Sequence, residues 1–153
     1  MAGLAPWAYL PTTVDLGFKI NCSFGNAYRL TGDRDFRDFL LVAARSVTNR
    51  YNAATGCIGD PDTPTNGVFE TALDYLMDLE LLFNAAQLSG DTNLYQMALS
   101  DAQRAVLDQV QPDGSAFQIA DYNSATGTLL ALANRTWARG HAWGTYGLTM
   151  ACR

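Results

Sequence analysis

The sequence contains little histidine and cysteine, and neither is arranged in a metal-binding pattern. Its 153 residues include one histidine and three cysteines. A single histidine, His141, excludes a site built from several imidazoles. Cys22, Cys57 and Cys152 are too widely spaced for a zinc motif, and their odd number does not suggest a disulfide framework. We therefore expect no metal and a reducing compartment, which we interpret as cytoplasmic.

Basic clusters and long apolar runs are also absent. Ten Lys and Arg residues face fifteen Asp and Glu residues, which gives a formal net charge of −5. Without a basic patch, nucleic acid is not an expected partner. No stretch reaches the roughly 18 apolar residues of a membrane span, and Pro6 interrupts any apolar segment that could serve as a signal peptide. An anionic ligand would need a local cation on this acidic protein.

Helical periodicity is the clearest positive feature. After Asp33, apolar residues recur at the spacing of one helix face, at Phe36, Phe39, Leu40, Ala43, Ala44, Val47 and Tyr51. Gly32 can end a preceding helix in the left-handed conformation, and Asp33 can cap the next N-terminus. The pattern predicts two helices joined by a tight turn.

The same turn sequence recurs 58 positions later, where Leu88–Asp91 repeats Leu30–Asp33. A second amphipathic helix follows, with its stripe at Leu94, Met97, Ala98, Ala102, Ala105 and Val106. The helices before the two turns, 16–30 and 73–88, are apolar almost all round, which is typical of buried helices. A third buried helix is expected to begin near Trp137.

These units predict an all-α fold of repeated helical hairpins, in one domain spanning residues 1–153. Hairpins of this kind pack side by side, and buried inner helices with amphipathic outer helices favour a toroid. The connections at 52–68 and 111–136 are long, and the second is expected to contain a small hairpin around Phe117, Ile119 and 123–127. A functional site is expected at the end carrying these loops.

Two carboxylates are expected at that end. Asp15 begins the first buried helix and Asp74 lies near the start of the second, so the repeat places them together, one residue out of register. Such a pair could perform acid–base chemistry. Each could instead cap its helix, which the spacing favours for Asp15 and leaves open for Asp74. Asp78, one turn later, is a rival acid, and Glu80 is expected to be a structural partner.

Arg139 and Trp143 are four residues apart and should share a helix face. A guanidinium beside an indole suits a sugar carboxylate, because arginine binds the carboxylate and tryptophan stacks on the ring. The alternative is an aromatic packing helix in which Arg139 pairs with a neighbouring acid. His141 should point to the opposite side and is interpreted as structural.

Six segments, in matching order from Val14 onward, resemble family 88 glycoside hydrolases, the unsaturated glucuronyl hydrolases. They are Asp15–Phe18, Cys22–Asn26, Tyr28–Asp33, Asp78–Phe83, Trp137–Gly140 and Tyr146–Met150. The resemblance implies an (α/α)6 barrel of six hairpins, of which this chain would form about half. It also implies removal of a 4,5-unsaturated uronic acid from the non-reducing end of an oligosaccharide.

The resemblance implies roles for five residues. Asp74 would be the general acid/base and Asp15 the second essential carboxylate, while Arg139, Trp143 and Gln118 would bind substrate. The implied chemistry protonates C4 of a vinyl ether, adds water at C5 and needs no metal or organic cofactor. This chain departs from the family at three positions: Val14 and Gln118 replace histidines, and His141 replaces a glutamine.

Two other functions remain open from the sequence. A non-catalytic hairpin module could bind a sugar or a protein. An unrelated toroid such as a sugar epimerase would be expected to use histidines that are missing here. We also expect an incomplete barrel, a fragment of a larger one, whose exposed apolar inner surface would favour self-association.

Overall fold

The first helical hairpin contains the predicted tight turn. The computed structural model describes residues 2–62, 66–133 and 137–153. A 3-10 segment, Ala2–Tyr9, precedes one continuous helix made of α1 (Leu16–Ile20), a π-helical turn (Asn21–Gly25) and α2 (Asn26–Thr31). Gly32 ends it at φ +69°, and Asp33 then accepts a hydrogen bond from the Asp35 amide to start α3 (Arg34–Thr48). The prediction of a left-handed turn followed by a capped helix is confirmed.

The second hairpin repeats this construction. A 3-10 segment (Leu73–Asp78) leads into α4 (Leu79–Ser89), and Gly90 ends that helix at φ +76°. The Asp91 side chain accepts from the Asn93 amide and begins α5 (Thr92–Asp108). Aspartate at the cap satisfies one of the otherwise unpaired N–H groups of the first turn. The predicted repeat is therefore confirmed.

The third predicted helix is α6 (Ala138–Ala151), which packs mainly against the 3-10 segment Leu73–Asp78. Its buried positions are all glycines: Gly140, Gly144 and Gly147. A Cβ on Gly147 would overlap the carbonyl of Leu76, so the absence of a side chain permits this close approach. The expectation of a helix buried on most sides is wrong in this chain, because only the glycine face of α6 is covered.

Among the residues that the structure describes, five short strands lie at the end with the long connections. β1 (Tyr51–Asn52) pairs with β2 (Cys57–Ile58), and β3 (Val68–Ala72), β4 (Ile119–Asn123) and β5 (Leu129–Ala133) form an antiparallel sheet in that order. The predicted hairpin is β4–β5. The pairing of β3 from the first long connection with β4 from the second was not predicted. Residues 63–65 and 134–136 of these connections lie outside the described residues.

The main core lies between the inner and outer helices. Its members include Leu16, Ile20, Leu40, Val47, Leu79 and Leu82. Two stripe assignments are wrong: Tyr51 lies in β1 beyond the end of α3, and Val106 is 49% exposed because α5 turns Ala98, Ala102 and Ala105 inward instead. Within the described part of the chain, none of the helices has the length and apolarity required to cross a bilayer.

Candidate active site

A cavity of about 910 Å³ opens at the end of the helices that carries the strands. Its wall comes from the start of α1, the 3-10 segment after β3, the residues before β4 and the start of α6. All five residues singled out from the sequence line it: Asp15, Asp74, Gln118, Arg139 and Trp143. The helical repeat and the resemblance therefore led to one common site.

Asp74 sits at the corner where β3 becomes the 3-10 segment, and it is 8% exposed. Gln118 Nε2 donates a hydrogen bond to its Oδ2, and Arg139 Nε lies 3.6 Å from its Oδ1. The Leu73 amide donates to the Gln118 carbonyl at 2.9 Å, which fixes the corner. Asp74 is not the capping residue of this segment, because Ala72 is the N-cap and Asp74 lies in the first turn, with its carboxylate bonded to Gln118.

The surroundings of Asp74 raise the pKa of its carboxyl above the usual value. Burial raises the pKa of this carboxyl, and the nearby Asp15 charge raises it further. Arg139 and the hydrogen bond from Gln118 lower the pKa, but burial dominates and the pKa lies above its usual value. A carboxyl that retains its proton at a higher pH is suited to act as an acid.

Asp15 precedes the first residue of α1 but makes no side-chain cap hydrogen bond. Its carboxylate instead lies 3.3 Å from Lys19 Nζ, one turn along the helix. Lys19 in turn lies over the ring of Trp7, 4.5 Å from the ring centroid. Asp15 therefore occupies the N-cap position that the spacing favoured, but its carboxylate pairs with Lys19 and makes no cap hydrogen bond.

Arg139 and Trp143 both face the cavity, as their spacing predicts. The guanidinium of Arg139 stacks on Trp137, with Cζ 3.9 Å from the ring centroid, and its side chain is 63% exposed. Trp143 instead meets Phe18 edge-on at 4.9 Å between ring centroids. The aromatic partner of Arg139 is thus Trp137, whose part in the site the sequence analysis missed although it stands two residues before Arg139.

Asp78, the predicted rival acid, faces away from the cavity. It is 0% exposed, forms an ion pair with Arg50 and accepts a hydrogen bond from the Gly17 amide at 2.7 Å. Burial raises its pKa to about 6. The expectation that Asp78 shares a face with Asp74 assumed α-helical geometry. In a 3-10 helix of three residues per turn, four residues bring the side chain about 120° away.

Gln118 is 3% exposed and its amide contacts protein atoms on both sides. The amide nitrogen must face Asp74, since an oxygen there would oppose the carboxylate. Its oxygen then lies against Gly140 of α6, where an added Cβ would overlap it. The predicted substrate-binding residue lines the cavity, but its amide hydrogen bond is made to Asp74.

The two residues interpreted as structural do make structural contacts. His141 Nε2 accepts a hydrogen bond from the Ala116 amide at 3.2 Å and so holds the segment before β4. Glu80 accepts hydrogen bonds from Asn21 at 2.6 Å and from the Tyr146 hydroxyl. Neither side chain lines the cavity.

Two further acidic residues of the cavity wall were not identified from the sequence. Asp60 accepts a hydrogen bond from the Tyr75 hydroxyl at 2.5 Å, and Glu70 lies in β3. Recognising them would have required a prediction of β3, and the polar composition of the long connection gave no such signal. Within the described ranges, no group of three or more His, Cys, Asp or Glu residues is arranged to hold a metal ion.

Comparison with known proteins relates this chain to part of a group of enzymes. No family model matches the sequence. An unsaturated glucuronyl hydrolase of Formosa agariphila is 34% identical over 150 residues, which cover 92% of this chain and 38% of that protein. The chain is homologous to part of the unsaturated glucuronyl hydrolases. An unsaturated chondroitin disaccharide hydrolase of Streptococcus pneumoniae is 30% identical over 149 residues, 91% of this chain and 37% of the relative.

Solved structures of unsaturated glucuronyl hydrolases share the same fold. One described as specific for heparin superposes with a TM-score of 0.88 at 32% identity, covering 98% of this chain and 42% of that one. The enzyme of Bacillus sp. GL1, described as responsible for the degradation of glycosaminoglycan, gives 0.80 at 27% identity, covering 90% and 39%. The predicted family and six-hairpin fold are confirmed, and the chain spans about 38% of the length of its curated relatives.

Proposed function

We propose that this chain provides the acid/base and uronate-binding wall of an unsaturated glucuronyl hydrolase. The reaction is the release of a 4,5-unsaturated uronic acid from an oligosaccharide by hydration of its vinyl ether double bond. The observation that carries the proposal is a single cavity in which the buried carboxyl of Asp74 lies beside the exposed guanidinium of Arg139. The names of the relatives support the same substrate class.

In this proposal Asp74 donates a proton to C4, water adds at C5, and the Asp74 carboxylate takes a proton from that water to leave a hemiketal. Opening of the hemiketal breaks the C5–O5 bond and leaves a hemiacetal at C1. Collapse of the hemiacetal breaks the glycosidic C1–O bond and releases the sugar. Its burial, together with the nearby charge of Asp15, holds the pKa of Asp74 above its usual value, so the carboxyl keeps its proton to a higher pH than an exposed aspartate would. The contribution of Asp15 is to raise the proton affinity of the acid.

Substrate binding is assigned to the α6 residues that line the same cavity, next to Asp74. Arg139 would pair with the uronate carboxylate, supplying the local cation that a protein of net charge −5 needs for an anionic ligand. Trp143 would pack against the sugar ring, since its side chain lines the cavity beside Phe18. Gln118 would act on the substrate indirectly, by orienting the Asp74 carboxyl group through its hydrogen bond.

Turnover of an unsaturated uronide tests the assignment, with loss of the double-bond absorbance as the readout. Asp74→Asn should lower kcat by about 100- to 10,000-fold, the usual contribution of a positioned acid or base. Asp38→Asn, which alters an exposed carboxylate of α3, is the matched control and should leave the rate unchanged. The pair should be made in this chain and in any longer protein that contains it.

The outcomes separate the candidate functions. Full activity in Asp74→Asn would remove this residue as the acid. Uronide binding measured by calorimetry without any turnover would favour the non-catalytic binding module, and turnover of a saturated sugar would favour an epimerase-like toroid.

We also propose a cytoplasmic location. The support is the state of the cysteines: Cys22 and Cys152 are exposed, Cys57 is buried, and all three are free thiols. Free exposed thiols are typical of reducing compartments. Fractionation of cells expressing the protein, with thiol labelling, would test this.

A further inference from the structure

The Asp74 carboxylate is contacted from two sides, by one buried side chain and by one exposed side chain. On one side, Gln118 is buried between Asp74 and Gly140, and its main-chain carbonyl accepts from Leu73 and from Gln109 Nε2. The Gln118 side chain is therefore held in place by the packed residues around it. On the other side, Arg139 reaches the carboxylate at 3.6 Å from an exposed side chain that rests on Trp137. A guanidinium held in this way can turn without disturbing the core.

Arg139 has two possible anionic partners once a uronide enters the cavity. The ion pair to Asp74 is long, with Nε of Arg139 3.6 Å from Oδ1. A guanidinium can also form the paired hydrogen bonds that favour an incoming carboxylate. One cation therefore has to serve both the enzyme carboxylate and the ligand carboxylate.

We propose that Arg139 is transferred from Asp74 to the uronate carboxylate on binding, and that Asp74 takes up a proton from solvent as it loses this partner. The inference rests on the proposed function and deepens it. Binding of the substrate would itself cause protonation of the catalytic acid, Asp74. At a pH above the pKa of Asp74 in the free protein, where this carboxyl is unprotonated, uronide binding would supply the proton that Asp74 then donates.

The charges facing Asp74 support this coupling. Arg139 is the single cation among the described residues that line the cavity, and the other ionisable groups there are acids or phenols: Asp15, Asp60, Glu70 and Tyr75. Arg139 lowers the pKa of Asp74, whereas burial and Asp15 raise it. A bound uronate would withdraw the lowering influence and add a negative charge. Both changes stabilise the protonated carboxyl.

Proton uptake can be measured without turnover by titrating the protein with methyl β-glucuronide, a saturated uronide. Calorimetry in buffers of different ionisation enthalpy gives the number of protons bound with the ligand. At a pH above the pKa of Asp74 in the free protein, we expect uptake that approaches one proton per site. By linkage, the affinity should rise as the pH falls, by up to about tenfold per pH unit. Methyl β-glucoside, which has no carboxylate, should cause no uptake.

Two variants locate the proton. Asp74→Asn should still bind methyl β-glucuronide but take up no proton, and circular dichroism verifies its fold. In Arg139→Gln without ligand, the Asp74 carboxyl should titrate at a higher pH in carbon-13 NMR spectra, because its cation is gone. Binding to this variant should be weaker and should take up less than the wild-type number of protons.

Each result bears on the coupling or on the site as a whole. Uronide binding without proton uptake, or uptake that persists in Asp74→Asn, would overturn the coupling while leaving the proposed function intact. Failure of both the saturated and an unsaturated uronide to bind would overturn uronate recognition by Arg139, and the coupling with it.

Discussion

Asp74 and Asp78 occupy the same 3-10 segment, yet they belong to two different regions of the molecule. Asp74 faces the cavity, with one fixed neutral partner and one exposed cation. Asp78 is sealed in the core, and both its oxygens are engaged, one by Gly17 and the other by Arg50. A buried carboxylate whose two oxygens both have partners, as in Asp78, stabilises the fold. A carboxylate with a movable partner and access to a ligand can exchange its proton.

The buried region extends beyond this ion pair. Arg50 Nη1 donates to the Gly59 carbonyl at 3.3 Å, and its guanidinium lies 5.6 Å from the ring centroid of Tyr75. Asp101 of α5 is also buried, and its charge interacts with both Arg50 and Asp78. This cluster joins the first hairpin, the β1–β2 loop and the second hairpin. Disrupting it should affect folding and leave the chemistry of Asp74 unaltered.

The largest expected effect comes from removing the cation of the buried region. Arg50→Met should lower the free energy of unfolding by about 3–5 kcal/mol, because Asp78 would be left buried without its partner. Arg37→Met is the control, since Arg37 pairs with Asp38 on the surface, and it should cost at most about 1 kcal/mol. Urea denaturation compares the two. Equal, small losses would show that the buried pair is not structural.

A second comparison uses two glycines of α6. Gly140→Ala should destabilise the protein by about 1–3 kcal/mol, because the new methyl group would overlap the buried Gln118 amide. Gly144→Ala places its methyl 3.6 Å from Leu73, an ordinary contact, and should be neutral or stabilising through helix propensity. Thermal unfolding measures both variants. Loss of stability in Gly144→Ala alone would contradict this packing.

The pH dependence of stability should be governed in part by Asp101. Burial raises the pKa of this carboxyl to about 7, whereas in the unfolded chain it is near the usual value of about 4. Between these limits the folded protein binds a proton that the unfolded chain releases. This contribution is therefore full below about pH 4 and is lost as the pH rises toward 7.

Asp101→Asn should remove that slope. Urea midpoints measured at several pH values for wild type and variant isolate the effect, because other carboxylates contribute equally to both. A difference between the two that does not change with pH would rule out protonation of Asp101 in the folded state.

The smallest expected effect concerns the fixed partner of Asp74. Gln118→Met retains the length of the side chain and removes the N–H donor, so the pKa of Asp74 should rise. Gln118→His retains a donor and should lie closer to wild type. Carbon-13 NMR of the Asp74 carboxyl measures both. An unchanged titration in a folded Gln118→Met variant would mean that the hydrogen bond does not act on the acid.

Much of the helical framework could be predicted from the sequence because its signals are local. The Gly32–Asp33 and Gly90–Asp91 turns carry both a left-handed glycine and a capping aspartate, and the helices that follow are strongly periodic. The strand β3 had no comparable signal. Its stability depends on pairing with β4, more than 40 residues away, as in the register Val68 to Asn123.

The sequence was sufficient to predict which residues form the site, but not which contacts their side chains make. Arg139 and Trp143 share a helix face by spacing alone, and the repeat brings Asp15 and Asp74 together. The stacking of Arg139 on Trp137 and the hydrogen bond from Gln118 to Asp74 depend on side-chain directions fixed by tertiary packing. The position of Asp78 was missed because residue spacing does not distinguish a 3-10 turn from an α-helical one.

The π-helical turn at Asn21–Gly25 explains why Asp15 and Asp74 differ by one residue in the repeat. Seventeen positions separate Asp15 from Gly32, and sixteen separate Asp74 from Gly90. A π turn takes more residues than an α turn and a 3-10 turn takes fewer, so the first inner helix needs the longer sequence to reach the same height. An alignment of the two hairpins at the constant interval of 58 residues would therefore fail to match Asp15 with Asp74. In the folded structure both carboxylates nevertheless line the same cavity.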